Sequence, residues 1–117
     1  MRSDGLDRAF EALADPTRRS VIKLLRKSPR RAGELAARLD MSAPALSRHL
    51  RILRESKLVE EVADEHDGRV SVYRLRRMVF VRLRAWVDAV GSLWQDELPA
   101  FAEPIAPVGR AGGKGML

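Results

Sequence analysis

One short stretch of the chain carries five residues that share a side of a predicted helix: Ser42, Pro44, Ser47, Arg48 and Arg51. Leucines recur at helical spacing on the opposite side: Leu46, Leu50 and Leu53. Serine hydroxyls and arginine guanidinium groups donate hydrogen bonds to phosphate, and a guanidinium also pairs with the O6 and N7 atoms of guanine. The pattern predicts a helix with one buried side and one side suited to nucleic acid. An ordinary surface helix with two solvated arginines fits it as well.

The residues just before this helix predict how it is held. The stretch from 33 to 53 reads as two short helices joined by a tight turn at Asp40-Met41. Aspartate tolerates the left-handed backbone that such a turn requires. Ser42 can cap the second helix, and Pro44 is allowed because it falls in the first turn. This layout is typical of a helix-turn-helix whose second helix lies in a DNA groove.

The types of these residues suggest separate roles at a duplex. Ser47 and Arg48 are the candidate base readers, with Arg48 suited to guanine. Ser42 and Arg51 are expected to meet phosphates, which position a protein without reading sequence. His49 borders the buried side of the helix. It is either a donor to phosphate or a satisfied structural histidine, and the sequence does not separate the two.

A β-hairpin is predicted directly after the helix pair, over residues 58–75. Asp67-Gly68 is a strong turn signal between two stretches with strand preference. A hairpin in this position is the wing of a winged helix-turn-helix, and Arg69 and Arg74 can contact the DNA backbone or minor groove. Phosphates would repel the acidic residues of the same hairpin: Glu60, Glu61, Asp64, Glu65 and Asp67. The wing contact is therefore expected to be narrow and led by Arg69.

Two further helices are predicted before the helix pair. The first runs over Leu6–Leu13, with Asp4 as its candidate N-cap, and is too short to be stable without a partner surface. The second follows Asp15-Pro16 and runs over Thr17–Lys27. Aspartate suits the capping position and proline the first helical position.

The longest predicted helix covers residues 76–98, and its apolar side is broader than one small domain needs. Part of that side and part of the first helix are expected to form a dimer interface. Its predicted residues are Leu6, Phe10, Leu13, Leu83, Trp86, Val90, Leu93 and Trp94. The alternative is that Trp86 and Trp94 fill the core of a monomer. The predicted fold is mainly α with a small β-hairpin, of the α+β class.

Composition sets bounds on size and partners. The 117 residues provide one domain, placed at 1–98, followed by a Pro/Gly-rich tail at 99–117 that is expected to be flexible. The formal net charge is +6, and 18 of the 22 basic residues are arginine. This excess favours a polyanionic partner. Arginine usage in a GC-rich genome gives the same excess, so charge supports the nucleic-acid interpretation without establishing it.

Several functions lack the residues that they require. The chain has no cysteine for a disulfide or a thiolate metal site, and no apolar run long enough to span a membrane. Its start lacks the apolar region of a signal peptide, so a cytoplasmic location is expected. No nucleophile–base pair or glycine-rich phosphate loop indicates an enzyme. His66 with its acidic neighbours is expected to be a solvated hairpin tip, so neither metal nor cofactor is predicted.

An ordered set of motifs extends these observations over residues 6–96. The pieces are ALADPTRR at 12–19, ELA at 34–36, MSAPALSRHL at 41–50, LRESKLV at 53–59, GR at 68–69 and YRL at 73–75. In this order they resemble the ArsR family of winged helix-turn-helix repressors. The resemblance implies a homodimer joined through its first and last helices. It also implies recognition helices in successive major grooves of an inverted-repeat, double-stranded DNA operator, and repression by blocking transcription initiation.

The metal sites of that family have no counterpart here. Metal-sensing members carry a cysteine box on the helix matching 33–39, or a His/Asp/Glu cluster on the last helix. This chain has no cysteine, and residues 76–98 contain no histidine. It resembles the cysteine-free branch that begins with LADPTRR, and its inducer is unknown. The two alternatives to an operator-binding repressor are a winged-helix module for protein–protein assembly and an architectural DNA-binding protein without sequence preference.

Overall fold

Five helices and a two-stranded hairpin form the part of the chain that the computed structural model describes, which is residues 5–97, with side chains as far as residue 93. The elements are α1 (Gly5–Leu13), α2 (Pro16–Lys27), α3 (Ala32–Leu39), α4 (Ala43–Glu55), β1 (Val59–Ala63), β2 (Ser71–Leu75) and α5 (Arg77–Glu97). The predicted α+β class with one small hairpin is confirmed. Asp4, the Trp94 side chain and the 99–117 tail lie outside the described residues. Residues up to Arg82 form one compact unit, and α5 from Leu83 onward belongs to a second.

Local signals set the ends of the helices. Asp15 caps α2, because its Oδ1 accepts a hydrogen bond from the backbone N–H of Arg18 at 3.0 Å, and Pro16 follows as the first helical residue. Ser42 caps α4 by accepting from the N–H of Ala45 at 3.3 Å. The start predicted for α3 was one residue late. The helix begins at Ala32, since the carbonyl of Arg31 already accepts from the N–H of Leu35.

The core of the first unit lies under α2, α3 and α4. Its largest members are almost fully excluded from water: Val21, Leu35, Leu46, Leu53, Leu58 and Val59. Burying a leucine of this kind stabilises the fold by about 1.5–3 kcal/mol. Leu46, Leu50 and Leu53 are all buried, so the predicted inner side of α4 is confirmed.

The hairpin pairs β1 with β2 in antiparallel register, from Val59 opposite Leu75 to Ala63 opposite Ser71. A third segment joins it. The N–H of Arg30 donates to the carbonyl of Tyr73 at 3.1 Å, and the N–H of Tyr73 donates to the carbonyl of Arg30 at 2.8 Å. The link between α2 and α3 is thereby fixed to the hairpin, so the hairpin and the helix pair are held together. None of the described helices could span a membrane.

Candidate nucleic-acid interface

The turn between α3 and α4 sets how the second helix is presented. Asp40 adopts the left-handed conformation, with φ 53° and ψ 52°, as the sequence predicts. Its N–H donates to the carbonyl of Ala37 at 3.3 Å, and the N–H of Met41 donates to that of Ala36 at 3.0 Å. These bonds close the end of α3 before Ser42 opens α4. The helix-turn-helix geometry is therefore fixed by the backbone.

The outer side of α4 is open to solvent. Every residue predicted to meet DNA on this side is exposed: Ser42, Pro44, Ser47, Arg48 and Arg51. Among the side chains that the structure describes, those of Arg48 and Arg51 make no hydrogen bond or ion pair. Their guanidinium groups can therefore donate to phosphate or base edges without first breaking an internal contact.

Ser42 has two functions available at the start of α4. Its Oγ accepts from the N–H of Ala45, which leaves its own O–H proton free to donate outward. The amino end of a helix also carries a partial positive charge. Cap and phosphate donor are therefore compatible roles for this hydroxyl group.

His49 is half-buried on the flank of α4. Its Nδ1 lies 3.3 Å from Nη1 of Arg18, which belongs to α2. Guanidinium has no acceptor, so Nδ1 must accept this hydrogen bond and the ring proton must lie on Nε2. The side chain of His49 is therefore held to α2 through its Nδ1, and its Nε2–H remains available as a donor.

Arg18 is a residue that the sequence analysis missed. Its Nε donates to the carbonyl of Ala12 in α1 at 2.7 Å, while its Nη1 reaches His49. Its backbone N–H is the largest cause that holds the pKa of Asp15 below the ordinary carboxyl value. One arginine thus joins α1, the start of α2 and the flank of α4. Local spacing carries no signal for this contact, because the two side chains are 31 positions apart in the chain.

Arg30 is the second residue that sequence reasoning missed. It is only 8% exposed, and its Nε donates to the carbonyl of Leu24 at 3.2 Å. Its Nη1 donates to Oε2 of Glu34 at 2.6 Å. The sequence does not show which of its 18 arginines is buried. In the structure, Arg30 supports the junction of α2, α3 and β2.

Basic side chains of the wing form ion pairs with its acidic side chains. The Arg69 side chain is 90% exposed, and its Nε lies 3.2 Å from Oδ1 of Asp67. Arg74 contacts Glu60 at 2.8 Å within the hairpin, and Arg54 of α4 contacts Glu61 at 3.0 Å. The side-chain hydrogen bond from Arg69 is the main cause that lowers the pKa of Asp67. The acidic character expected of the wing is thus partly neutralised, by Arg69 and Arg74 of the hairpin and by Arg54 of α4.

The residues predicted for a dimer interface differ in exposure. In α1, Leu6 and Leu13 are half-buried, and Phe10 is 38% exposed. In α5, Trp86 is 49% exposed, and Val90 and Leu93 are also exposed, whereas Leu83 is only 8% exposed. Leu83 is therefore largely buried, and Trp86, Val90 and Leu93 are the members of the α5 set with described side chains that expose apolar surface.

Potential metal-ligating side chains are not clustered in the part of the chain that the structure describes. There, no three side chains of the histidine, aspartate and glutamate types lie where they could hold one ion. His66 is exposed in the loop between β1 and β2.

Comparison with known proteins places this architecture in a family. Residues 15–61 match the family model described as bacterial regulatory protein, arsR family. The chain is 38% identical over 99 residues to an HTH-type transcriptional regulator of Mycobacterium tuberculosis, an alignment that covers 85% of this chain and 87% of the relative. It is 32% identical over 82 residues to the transcriptional repressor SdpR of Bacillus subtilis, covering 70% of this chain and 88% of SdpR.

A solved structure agrees with the fold. The solution NMR structure of a homodimeric winged helix-turn-helix DNA-binding domain from Mycobacterium bovis, described as a possible ArsR-family transcriptional regulator, superposes with a TM-score of 0.60 at 27% identity. It covers 81% of this chain and 86% of that domain. The winged helix-turn-helix predicted from the sequence is confirmed, and the chain belongs to the arsR family of bacterial regulatory proteins.

Proposed function

We propose that this protein represses transcription as a homodimer that binds an inverted-repeat DNA operator through α4. The observation that carries the proposal is the contrast between the two sides of α4. Leu46, Leu50 and Leu53 fix one side in the core, while Arg48 and Arg51 stand exposed on the other without partners among the described residues. A rigid helix with open guanidinium groups fits the major groove, which is about 12 Å wide.

The residues of α4 divide the work of binding. Ser47 and Arg48 read base edges, and Arg48 donates two hydrogen bonds from its guanidinium group to the O6 and N7 atoms of a guanine. Ser42 and Arg51 hold phosphates, and Pro44 lies against the duplex beside them. His49 acts as a positioning residue, because its Nδ1 is already committed to Arg18.

The wing supplies a second, weaker contact. Arg69 exchanges Asp67 for a phosphate oxygen, and Arg74 exchanges Glu60 in the same way. Each exchange trades one ion pair for another, so the net gain in binding free energy is small. Sequence preference therefore resides in α4.

Two relatives support the dimer and the repressor role. The Mycobacterium bovis domain is described as homodimeric, and SdpR is named a transcriptional repressor. In this chain, Phe10 of α1 and Trp86, Val90 and Leu93 of α5 supply exposed apolar surface for a second copy. Two copies related by a twofold axis present two recognition helices about 34–36 Å apart, which matches half-sites one helical turn apart. A cytoplasmic location follows from the DNA partner.

Selection of bound fragments from the source genome, followed by footprinting at physiological salt, tests the proposal. We expect a palindromic site with half-site centres about 10–10.5 base pairs apart, or a multiple of that spacing. Equal affinity for all sequences would favour the architectural alternative. Absence of duplex binding would favour the protein–protein assembly module.

A further inference from the structure

A cleft of about 740 Å³ opens between α1, the start of α2 and the second half of α4. Its lining includes Arg8, Glu11 and Ala12 of α1, Arg18 of α2, and Ile52 and Glu55 of α4. Cavities of roughly 300–1,000 Å³ commonly hold small ligands in proteins. The cleft lies behind the recognition helix and is not used by the proposed DNA contact.

The cleft is also separate from the apolar side of α1. Side chains advance by roughly 100° per residue along a helix, so Arg8 and Leu6, two residues apart, are separated by about 160° around the helix axis. Glu11 is likewise displaced by about 100° from Phe10. Ala12, which is buried, is the apolar residue of α1 that lines the cleft. A second copy seated on Leu6 and Phe10 therefore leaves the cleft accessible.

The charges around the cleft are balanced but not paired with one another. Arg8 and Arg18 provide two guanidinium groups, and Glu11 and Glu55 provide two carboxylates. Within the described residues, Arg8, Glu11 and the Glu55 side chain make no hydrogen bond or ion pair through their charged groups. Ala12 and Ile52 add an apolar surface between them.

We propose that this cleft binds a small zwitterion with an apolar part, such as a free amino acid or a dipeptide. The ligand carboxylate pairs with Arg8 and Arg18, and its ammonium group pairs with Glu11 and Glu55. A purely anionic ligand would face the two carboxylates, and a purely cationic one would face the two guanidinium groups. Arg18 already lies 4.0 Å from Oδ2 of Asp15 and bonds Ala12 and His49, so the ligand carboxylate is held chiefly by Arg8 and competes for Arg18. Only a molecule that carries both signs pairs with both the guanidinium groups and the carboxylates of the cleft.

Arg18 connects the cleft with the recognition helix. The same guanidinium group that lines the cleft lies 3.3 Å from Nδ1 of His49. A carboxylate is a stronger acceptor for arginine than a neutral imidazole is, because the bond is assisted by charge on both partners. Ligand binding therefore draws Arg18 from His49, loosens the flank of α4 and weakens operator binding. This step rests on the proposed function, whereas ligand binding itself does not.

Calorimetric titration of the full-length, DNA-free protein tests the binding step. The probes are the proteinogenic L-amino acids and L-leucyl-L-leucine, with N-acetyl-L-leucyl-L-leucine amide as an uncharged counterpart of the dipeptide. We expect saturable binding of at least one zwitterion and none of the capped dipeptide. Absence of binding by every zwitterion, or equal binding of the capped form, overturns the proposal.

Two variants locate the site without touching the core. Arg8→Gln and Glu11→Gln each remove one charge from the cleft, and both residues are exposed. Each is expected to weaken the binding of the same probe by about tenfold. The matched control is Arg26→Gln, an exposed arginine of α2 outside the cleft, which should bind as the unchanged protein does. If both cleft variants bind normally, the ligand site is elsewhere and the proposal is overturned.

Fluorescence anisotropy with labelled operator tests the coupling. Saturating probe should lower operator affinity by about tenfold in the unchanged protein and have less effect in Arg8→Gln. Unaltered operator affinity with bound probe overturns the coupling. A protein that binds the probe but no operator contradicts the proposed function and leaves the ligand site standing. A protein that binds the operator but no probe contradicts the ligand site and leaves the proposed function standing.

Discussion

Nη1 of Arg18 lies 3.3 Å from Nδ1 of His49, across 31 positions of sequence, and this contact ties the start of α2 to the flank of α4. The same arginine holds the carbonyl of Ala12 through its Nε at 2.7 Å. Because Nε bonds α1 and Nη1 bonds α4, this arginine positions α4 relative to α1 and α2. We therefore expect operator binding by α4 to depend on Arg18, which holds α4 from inside the protein.

Replacing His49 by alanine removes that support while leaving Ser47 and Arg48, the proposed base readers, in place. We expect His49→Ala to weaken binding to all duplexes by a similar factor, at a cost of about 1 kcal/mol for the lost hydrogen bond. Anisotropy titrations with the operator and with single-base variants of it measure the effect. A loss confined to one base pair would instead identify His49 as a base reader.

Arg48→Ala removes the predicted guanine contact. The expected cost is roughly 1–3 kcal/mol at the operator, with relaxed preference at one base pair. Its matched control is Arg51→Ala, which should weaken binding evenly across sequences and reduce the salt dependence by about one phosphate contact. An even loss for Arg48→Ala as well would contradict its role in reading bases.

Trp86 and Val90 test the proposed dimer interface better than Leu83 does. Leu83 is 8% exposed, so a charge there disturbs the fold, whereas Trp86 is 49% exposed. Trp86→Glu with Val90→Glu should give a monomer with much weaker operator binding, as measured by sedimentation equilibrium and anisotropy. Val81→Glu, on another side of α5, is the control and should remain dimeric. A double variant that stays dimeric would contradict the interface.

Asp15 predicts a pH dependence of stability. Its folded-state pKa lies below the ordinary value of 3.8, chiefly because the backbone N–H of Arg18 donates to the carboxylate. The stabilisation is therefore present above the unfolded pKa and is lost as the pH falls through the lower, folded pKa. Urea denaturation between pH 7 and pH 2 should show this loss in the unchanged protein and a smaller one in Asp15→Asn, which keeps a capping oxygen. Parallel curves for the two proteins would count against this assignment.

Arg30→Ala tests the buried junction between α2, α3 and β2. The variant leaves the carbonyl of Leu24 without its donor from Arg30, while the carboxylate of Glu34 keeps Arg38, whose Nε lies 3.5 Å from Oε2. Because Glu34 is partly exposed, water can replace part of the contact, and the expected loss in free energy of unfolding is about 1–3 kcal/mol. Arg26→Ala, an exposed substitution in α2, should change it by less than about 0.5 kcal/mol. Equal effects of the two would mean that Arg30 is not a structural residue.

The sequence by itself determined the elements whose signals are local. Asp15 and Ser42 cap their helices as predicted, because a cap depends only on residues within one turn. Asp40 closes the turn in the left-handed conformation for the same reason. The two sides of α4 also follow from spacing alone, since periodicity dictates which residues share a side.

Only the tertiary structure decided which charged residues are structural. Arg18 and Arg30 look like any other arginine in a basic chain, yet one meets His49 and the other is buried beside Glu34. Their roles depend on which elements approach one another, and no local pattern encodes that distance. The same holds for Leu83, which shares an apolar side of α5 with exposed residues but is itself buried. Periodicity identifies a side of a helix, whereas burial depends on what the folded chain places against each part of it.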